Sequence, residues 1–216
     1  PSRLICLENT HNRCLGMPLD INYINAVADI AKNNNMSVHI DGARIFNAAV
    51  ATGFSVSDLT KEIESVSFCL SKGLSAPSGS LLCGETSFIQ RARFNRKALG
   101  GGMRQAGILA AAGIVALNVM SKKIFQDHQN AKKLADGISK IDGINLELEK
   151  TKTNIIYFKL DHPKVNSSEL LEFMGKKNIR FFELAPNWFR LVTHSGISNE
   201  SINYVVNEFD HFFAKA

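Results

Sequence analysis

A lysine at the end of an apolar run is the residue of this sequence best placed to do chemistry. Lys72 follows residues 67–70, which predict a buried strand, and precedes a loop rich in Gly, Ser and Pro. Burial disfavours the charged ammonium form of a lysine. A neutral amine at this position can attack a carbonyl carbon and form a Schiff base. The alternative is a loop lysine that points into water, and this stretch alone favours that alternative.

An aspartate and an arginine follow a second apolar run, residues 36–40. In the tetrapeptide Asp-Gly-Ala-Arg, Asp41 would ordinarily form a salt bridge with a lysine such as Lys72. Beside a Schiff-base lysine a carboxylate has a specific use. It keeps the pyridine nitrogen of pyridoxal phosphate (PLP) protonated, so that the ring acts as an electron sink. The planar guanidinium of Arg44 suits a phenolic oxygen or a substrate carboxylate, and the alternative is a solvated residue at a helix start.

The third motif combines glycine with positive charge. Three consecutive glycines lie between Lys97 and Arg104. Glycines that lead into a helix expose backbone amides at its positive dipole end, which favours a phosphate group. The basic run at residues 91–97 could instead indicate nucleic-acid binding. Only Phe94 is interleaved with it, however, and no recognised nucleic-acid fold fits.

Alternating strands and helices must position these residues. Strands are predicted at residues 3–7, 36–40 and 63–70, and a hairpin strand at 81–83. A helix is predicted after each of the first two strands, which is typical of a parallel sheet covered by helices. Ligands of such sheets bind at the carboxyl ends of the strands. Asn9, Asp41 and Lys72 all fall at those ends.

The rest of the chain predicts a connecting helix and a small α+β domain. A basic helix at residues 88–97 precedes an Ala-rich helix that runs from Arg104 to about residue 141. Later strands and helices are predicted at 144–149, 154–160, 168–177, 179–184 and 188–193, and from Ser198 onward. We therefore expect the C-terminal part of a large α/β domain at 1–105, a connecting helix at 106–141 and a small α+β domain at 142–216.

Composition restricts the class of protein. The chain has 216 residues, a net charge of +5 and 45% hydrophobic residues, as ordinary globular proteins do, so no polyanion partner is implied. The four cysteines form no CxxC pair, so we expect reduced thiols, most of them buried, and no metal site. The apolar run 106–120 is too short and too rich in Ala and Gly for a membrane span, and it predicts a buried helix. We expect a cytoplasmic protein, with an organelle as the alternative.

Five motifs occur in the order in which one enzyme family carries them. They are residues 7–12, 39–44, 71–74, 97–105 and 190–194. Together they resemble the low-specificity L-threonine aldolases, PLP-dependent enzymes of the aspartate-aminotransferase fold (fold type I). The resemblance covers essentially the whole chain. It implies a large-domain portion with a mostly parallel sheet, followed by a small C-terminal α+β domain.

The resemblance implies a role for each candidate residue. Lys72 becomes the Schiff-base lysine and Asp41 the partner of the pyridine nitrogen. Arg44 and Arg190 become anchors for a cofactor oxygen and for the substrate carboxylate. The other implied site residues, near the phosphate or on the pocket wall, are Lys97, Arg104, Asn9 and His11. In the family, the two phosphate-side residues reach into a neighbouring subunit's site, which implies a homodimer or homotetramer.

The implied activity is the aldol cleavage of L-threonine or L-allo-threonine to glycine and acetaldehyde, with no nucleic-acid or membrane partner. The family's N-terminal third, which holds the phosphate-binding turn and a histidine that stacks on PLP, has no counterpart in these 216 residues. We therefore expect this chain alone not to be a competent aldolase. Two alternatives stay open: an incompetent fragment or remnant of the fold, and another PLP-dependent lyase, β-eliminating or similar to serine hydroxymethyltransferase.

Overall fold

The computed structural model describes residues 1–215, which form two compact units. The first unit consists of Pro1–Thr10 and Pro18–Ile124. The second consists of His11–Met17 and the chain from Phe125 onward. The three-part division at residues 105 and 141 stays a prediction.

The first unit contains a four-stranded sheet. Its elements are β1 (Leu4–Glu8), α1 (Ile21–Asn33), β2 (Ser37–Asp41), α2 (Ile45–Thr52), α3 (Val56–Leu59), β3 (Ser65–Cys69), β4 (Ser80–Gly84), α4 (Thr86–Ala98) and α5 (Gly107–Asn118). Strands β1, β2 and β3 are parallel neighbours in that order, and β4 pairs antiparallel with β3 at the edge. The predicted α/β fold with a mostly parallel sheet and a hairpin strand is confirmed.

Local signals set the helix ends of this unit. The side chain of Asp20 caps α1 by accepting a hydrogen bond from the backbone N–H of Asn22 at 2.8 Å. Helix α2 ends at Gly53, which has a φ of +75° and allows the left-handed C-cap. The buried residues of α1 recur at helical spacing and join the core formed with Ile40 and Phe68; they are Ile24, Ala28 and Ala31.

Only one face of the first sheet is buried by the described residues. Ile40 is completely buried, whereas Leu4 and Leu82, on the opposite face, are 54% and 39% exposed. Parallel sheets are normally covered on both faces. This exposure also corrects the prediction that most cysteines are buried, since Cys6 lies on the open face and Cys83 on the edge strand, both exposed.

Helix α5 is exposed, which corrects the prediction of a buried helix. Only Gly113 and Ala116 are buried, and Ile108 is 75% exposed. The helix packs inward through small residues: a Cβ at Gly113 would lie 3.1 Å from Leu70 Cδ1. Its large side chains therefore face away from the core. The predicted long helix is also divided, since α5 is followed by a 3₁₀ turn at Met120–Lys123 before the next helix begins.

The helical stretch Gly107–Ile138 is long and apolar enough to cross a membrane. Its most apolar 18-residue window has a mean hydropathy of 1.6, and 17% of that window is buried. The apolar run at residues 106–120 did not predict this result, because the stretch continues beyond it to Ile138. Core and interface helices of soluble proteins share these properties, so length and composition do not make the stretch a membrane span.

The second unit is a small α+β structure. Its elements are α6 (Ile124–Ile138), which begins at the last residue of the first unit, β5 (Ile144–Asn145), β6 (Ile155–Leu160), α7 (Ser167–Lys176), β7 (Phe182–Ala185), β8 (Trp188–Val192) and α8 (Asn199–Phe213). The sheet is antiparallel, in the order β5-β6-β8-β7. Its core includes Phe158, Phe189 and Phe209, all fully buried, with the first two rings stacked at 4.9 Å.

Candidate active site

The carboxyl edge of the first sheet collects three of the predicted site residues. Asn9 directly follows β1, Asp41 is the last residue of β2, and Lys72 comes three residues after β3. These strands are adjacent and parallel. Their ends therefore lie at the same edge of the sheet, as the sequence predicted.

Asn9 is fully buried and is held from two directions. Its backbone N–H donates to the carbonyl of Asp41 at 2.9 Å, which continues the pairing of β1 with β2. Its side-chain Oδ1 accepts from the backbone N–H of Leu19 at 3.1 Å. The amide Nδ2 is buried and has no hydrogen-bond partner within residues 1–215. A fixed and unpartnered donor of this kind suits a bound group with an acceptor atom.

Asp41 and Arg44 flank a tight connection from β2 to α2. The Asp41 side chain is exposed, and its Oδ1 accepts from the backbone N–H of Ala43 at 3.1 Å. Gly42 has no room for a side chain, since a Cβ there would lie 2.9 Å from Ile45 Cβ. Arg44 is partly buried at the N-cap of α2. The carboxylate is thus accessible and its orientation is set by the backbone.

Lys72 is exposed, as in the alternative of a loop lysine that points into water, and its role as the Schiff-base lysine stays a prediction. The strand is buried at Phe68 and Leu70, but the chain turns before the lysine. The turn is fixed by a hydrogen bond from the Ser75 N–H to the Lys72 carbonyl, at 2.9 Å. The described residues therefore place the side chain of Lys72 in solvent.

The glycine-rich segment is also exposed. Lys97 lies in the last turn of α4, and Arg104 lies in the loop before α5. Both side chains are exposed, and so are the three glycines between them. A phosphate site that this segment shares with Asp41 and Lys72 stays a prediction.

The remaining two candidates, His11 and Arg190, belong to the second unit. His11 is partly buried at the start of a short 3₁₀ turn. Arg190 lies on β8 opposite Tyr157 on β6, and its Nη1 donates to Oδ1 of Asn12 at 2.6 Å. No sequence motif predicted a role for Asn12 or Tyr157. The only indication in the sequence was that Tyr157 and Arg190 are polar side chains within otherwise apolar strands.

Most of the chain matches a known protein family. Residues 1–161 match the family described as beta-eliminating lyase. The chain belongs to the beta-eliminating lyase family.

Individual relatives are similar to this chain over almost its whole length. It is 41% identical over 209 residues to low-specificity L-threonine aldolase 1 of Arabidopsis thaliana, a match covering 96% of this chain and 58% of the relative. It is 38% identical over 214 residues to the low specificity L-threonine aldolase of Escherichia coli K12, covering 99% and 61%. The threonine aldolase of Leishmania major superposes with a TM-score of 0.79 at 15% identity, covering 98% and 61%. The chain thus has fold type I and spans about 60% of its relatives' length.

The donor set at the carboxyl edge of the first sheet fits PLP. This cofactor needs an amine for its carbonyl carbon and an acid partner for its ring nitrogen. Lys72 and Asp41 are of these types and are both accessible. The buried Nδ2 of Asn9 adds a donor that has no hydrogen-bond partner in the described part of the chain. Lys72, Asp41 and Asn9 would hold the cofactor, with Arg44 beside them.

Other features of the described residues lie apart from these candidates. A cavity of about 310 Å³ in the second unit is lined by Tyr157 and Trp188 among others, and by none of the candidate residues. Within residues 1–215, no group of three or more His, Cys, Asp or Glu side chains could hold a metal ion.

Burial raises the pKa of Asp127 from 3.8 to about 6, against the opposing effect of His194. Burial also lowers the pKa of His128 from 6.5 to about 4.

Proposed function

We propose that the complete polypeptide containing this chain is a PLP-dependent aldolase that cleaves L-threonine and L-allo-threonine to glycine and acetaldehyde. The observation that carries the proposal is the position of Lys72 and Asp41 at the carboxyl ends of two adjacent parallel strands. The proposal is supported by the names of the relatives, which are low-specificity L-threonine aldolases. Because the chain spans about 60% of those relatives, the proposal concerns the complete polypeptide.

Each residue at this edge has a chemical task in the proposal. When bound, PLP supplies an electron sink for the electron pair released as the Cα–Cβ bond breaks. The amine of Lys72 would hold the cofactor through the cofactor's carbonyl carbon. The carboxylate of Asp41 holds the proton on the pyridine nitrogen. Nδ2 of Asn9 donates a hydrogen bond to an acceptor atom of the bound group, and Arg44 binds a cofactor oxygen.

The outer residues bind the charged ends of cofactor and substrate. Arg190 binds the α-carboxylate of the amino acid, because its planar guanidinium can donate two parallel hydrogen bonds. His11 lines the substrate pocket. Lys97 and Arg104 supply positive charge to the cofactor phosphate of a neighbouring subunit, in a cytoplasmic homodimer or homotetramer. Their exposure in this chain is consistent with that role.

The test is turnover of L-allo-threonine and L-threonine by the complete polypeptide with excess PLP. Glycine and acetaldehyde should be produced in equal amounts, and Lys72→Ala should lower kcat by at least about 10³-fold. Lys61→Ala is the matched control, since Lys61 is exposed in the same unit and is not a candidate residue. Full activity of the Lys72→Ala variant would refute the proposal.

A second candidate function is β-elimination, which the description of the matching family favours. A β-eliminating lyase would convert serine to pyruvate and ammonia, whereas an aldolase releases glycine from threonine. Supplying both amino acids to the same preparation distinguishes the two reactions. Pyruvate formation from serine that exceeds glycine formation from threonine would favour the eliminating lyase.

A further inference from the structure

A short segment of the second unit lies along its sheet and is fixed at several points. We call this segment, His11–Met17, the strap. The hydroxyl of Tyr157 donates to the carbonyl of Asn12 at 2.8 Å, and Oγ1 of Thr153 donates to the carbonyl of Gly16 at 2.9 Å. Gly16 has a φ of +67°, and a Cβ there would lie 2.9 Å from Ile155 Cδ1. The strap backbone therefore lies directly against β6.

The strap contacts one charged side chain of the sheet. Arg190 is paired with Tyr157 across β8 and β6, so both side chains leave the same face. Nη1 of Arg190 donates to Oδ1 of Asn12 at 2.6 Å. The Nε of Arg190 is buried and has no hydrogen-bond partner among the described residues. The Nη1 end of the guanidinium is thus held by Asn12, while the N–H of Nε at the other edge is available to donate to a ligand.

The chemistry of Asn12 matters as much as its position. Its amide oxygen orients the guanidinium but carries no charge, so it leaves the positive charge of Arg190 available. A carboxylate in the same place would accept the same hydrogen bond but would compensate that charge. An arginine held by a neutral acceptor, with an unpartnered buried Nε, suits an anionic ligand that binds through the remaining edge.

We propose that Asn12 is a positioning residue that fixes Arg190 so that its Nε edge receives the α-carboxylate of the substrate. The hydroxyl of Tyr157 supports this role, because it holds the backbone of Asn12. The inference rests on the proposed function of Arg190 as the carboxylate anchor, and it deepens that function by naming what orients the anchor. The strap thereby contributes to the selection of substrates that carry a free carboxylate.

The test compares Asn12→Ala, Asn12→Asp and the control Asn145→Ala in the complete polypeptide loaded with PLP. Asn12→Ala should raise KM for L-allo-threonine by about tenfold and change kcat less than about threefold, because a binding interaction is lost. Asn12→Asp keeps the acceptor and the size but should raise KM further, because its charge competes with the substrate carboxylate. Asn145 likewise makes a side-chain hydrogen bond within the second unit, in which its Nδ2 donates to Oδ2 of Asp161 at 3.0 Å, and its replacement should leave KM unchanged.

A double-variant cycle separates positioning from a merely structural contact. In an Arg190→Ala background, Asn12→Ala should add less than about twofold to KM, since its effect acts through the guanidinium. An equal rise in KM in both backgrounds would overturn the proposal. So would an Asn12→Ala variant with a lower unfolding temperature and an unchanged KM, or an Asn12→Asp variant with wild-type KM. If Arg190→Ala alone leaves KM unchanged, the proposed role of Arg190 fails, and this outcome is distinguishable from a failure confined to Asn12.

Discussion

Replacing a single buried carboxylate should make the second unit more stable at neutral pH. Asp127 lies in the first turn of α6 and is 2% exposed, and burial raises its pKa from 3.8 to about 6. Because the pKa is higher in the folded chain, the unfolded chain releases this proton first as the pH rises. Stability is therefore fully present at low pH and is lost as the pH rises through about 6. The difference between the two pKa values corresponds to about 3 kcal/mol.

Asp127→Asn removes this ionisation without changing the size of the side chain. The hydrogen bond from Oγ1 of Thr193 goes to the backbone carbonyl of residue 127 and is retained. We expect the variant to exceed the wild type in unfolding free energy by about 3 kcal/mol at pH 7.5 and by about 1 kcal/mol at pH 4.5. His128 changes stability in the opposite direction, because burial lowers its pKa to about 4. The stability that comes from its neutral form is lost as the pH falls below 6.5. The wild type should thus be nearly independent of pH between 4 and 6, and the variant should gain stability over that range.

The assay is urea unfolding followed by the fluorescence of Trp188, the only tryptophan of the chain and a residue of the second unit. Asp142→Asn is the matched control, since Asp142 is exposed in the same unit and should change stability by less than about 0.5 kcal/mol. A destabilised Asp127→Asn variant at pH 7.5 would refute the reasoning. It would mean that the ionised carboxylate makes a net favourable interaction, for which His194, the residue that opposes the rise in its pKa, is the candidate.

Three further substitutions test the packing and the site. Gly73→Ala should lower the unfolding free energy by about 1–3 kcal/mol in a urea titration, because the new Cβ would lie 2.5 Å from Oδ1 of the buried Asn47. Gly137→Ala should also lower the unfolding free energy in the same titration, because its Cβ would lie 2.5 Å from Val206 Cγ2. Adding Val206→Ala should restore the stability. An unchanged stability of the single variant would contradict the packing of α6 on α8. Asp41→Asn keeps the acceptor for the Ala43 N–H, so the circular dichroism spectrum should be unchanged. Glycine formation should fall by about 10²-fold or more, because the negative charge is lost. An active variant would contradict the role of the carboxylate.

The strands of the first unit could be predicted because their own residues determine them. Apolar runs set β1, β2 and β3, and a glycine set the end of α2 at Gly53. The strand predicted at residues 144–149 was wrong beyond Asn145. Ile144 and Asn145 pair with β6, and the chain then forms a 3₁₀ turn at Leu148–Lys150. The alternation of apolar residues continues there, but the pairing with β6 ends at Asn145 although β6 itself extends back to Ile155.

The site could be predicted in its positions and not in its environment. Motif order located Asp41 and Lys72 at the strand ends, because parallel strands present their carboxyl ends together. Whether Lys72 is buried depends on what covers the sheet, and the lysine's own strand carries no information about that. The role of Asn12 could not be predicted because its partner, Arg190, is 178 residues away in the sequence. Such a contact arises only when β8 and the strap are folded.

The central claim is that Lys72 carries the cofactor, and chemical trapping tests it most directly. The complete polypeptide loaded with PLP is reduced with borohydride and digested, and the modified peptide is identified by mass spectrometry. We predict that the pyridoxyl group is found on Lys72 and that Lys72→Ala abolishes the labelled peptide, whereas Lys97→Ala retains it. A pyridoxyl group on Lys97, or on any lysine other than Lys72, would contradict the claim.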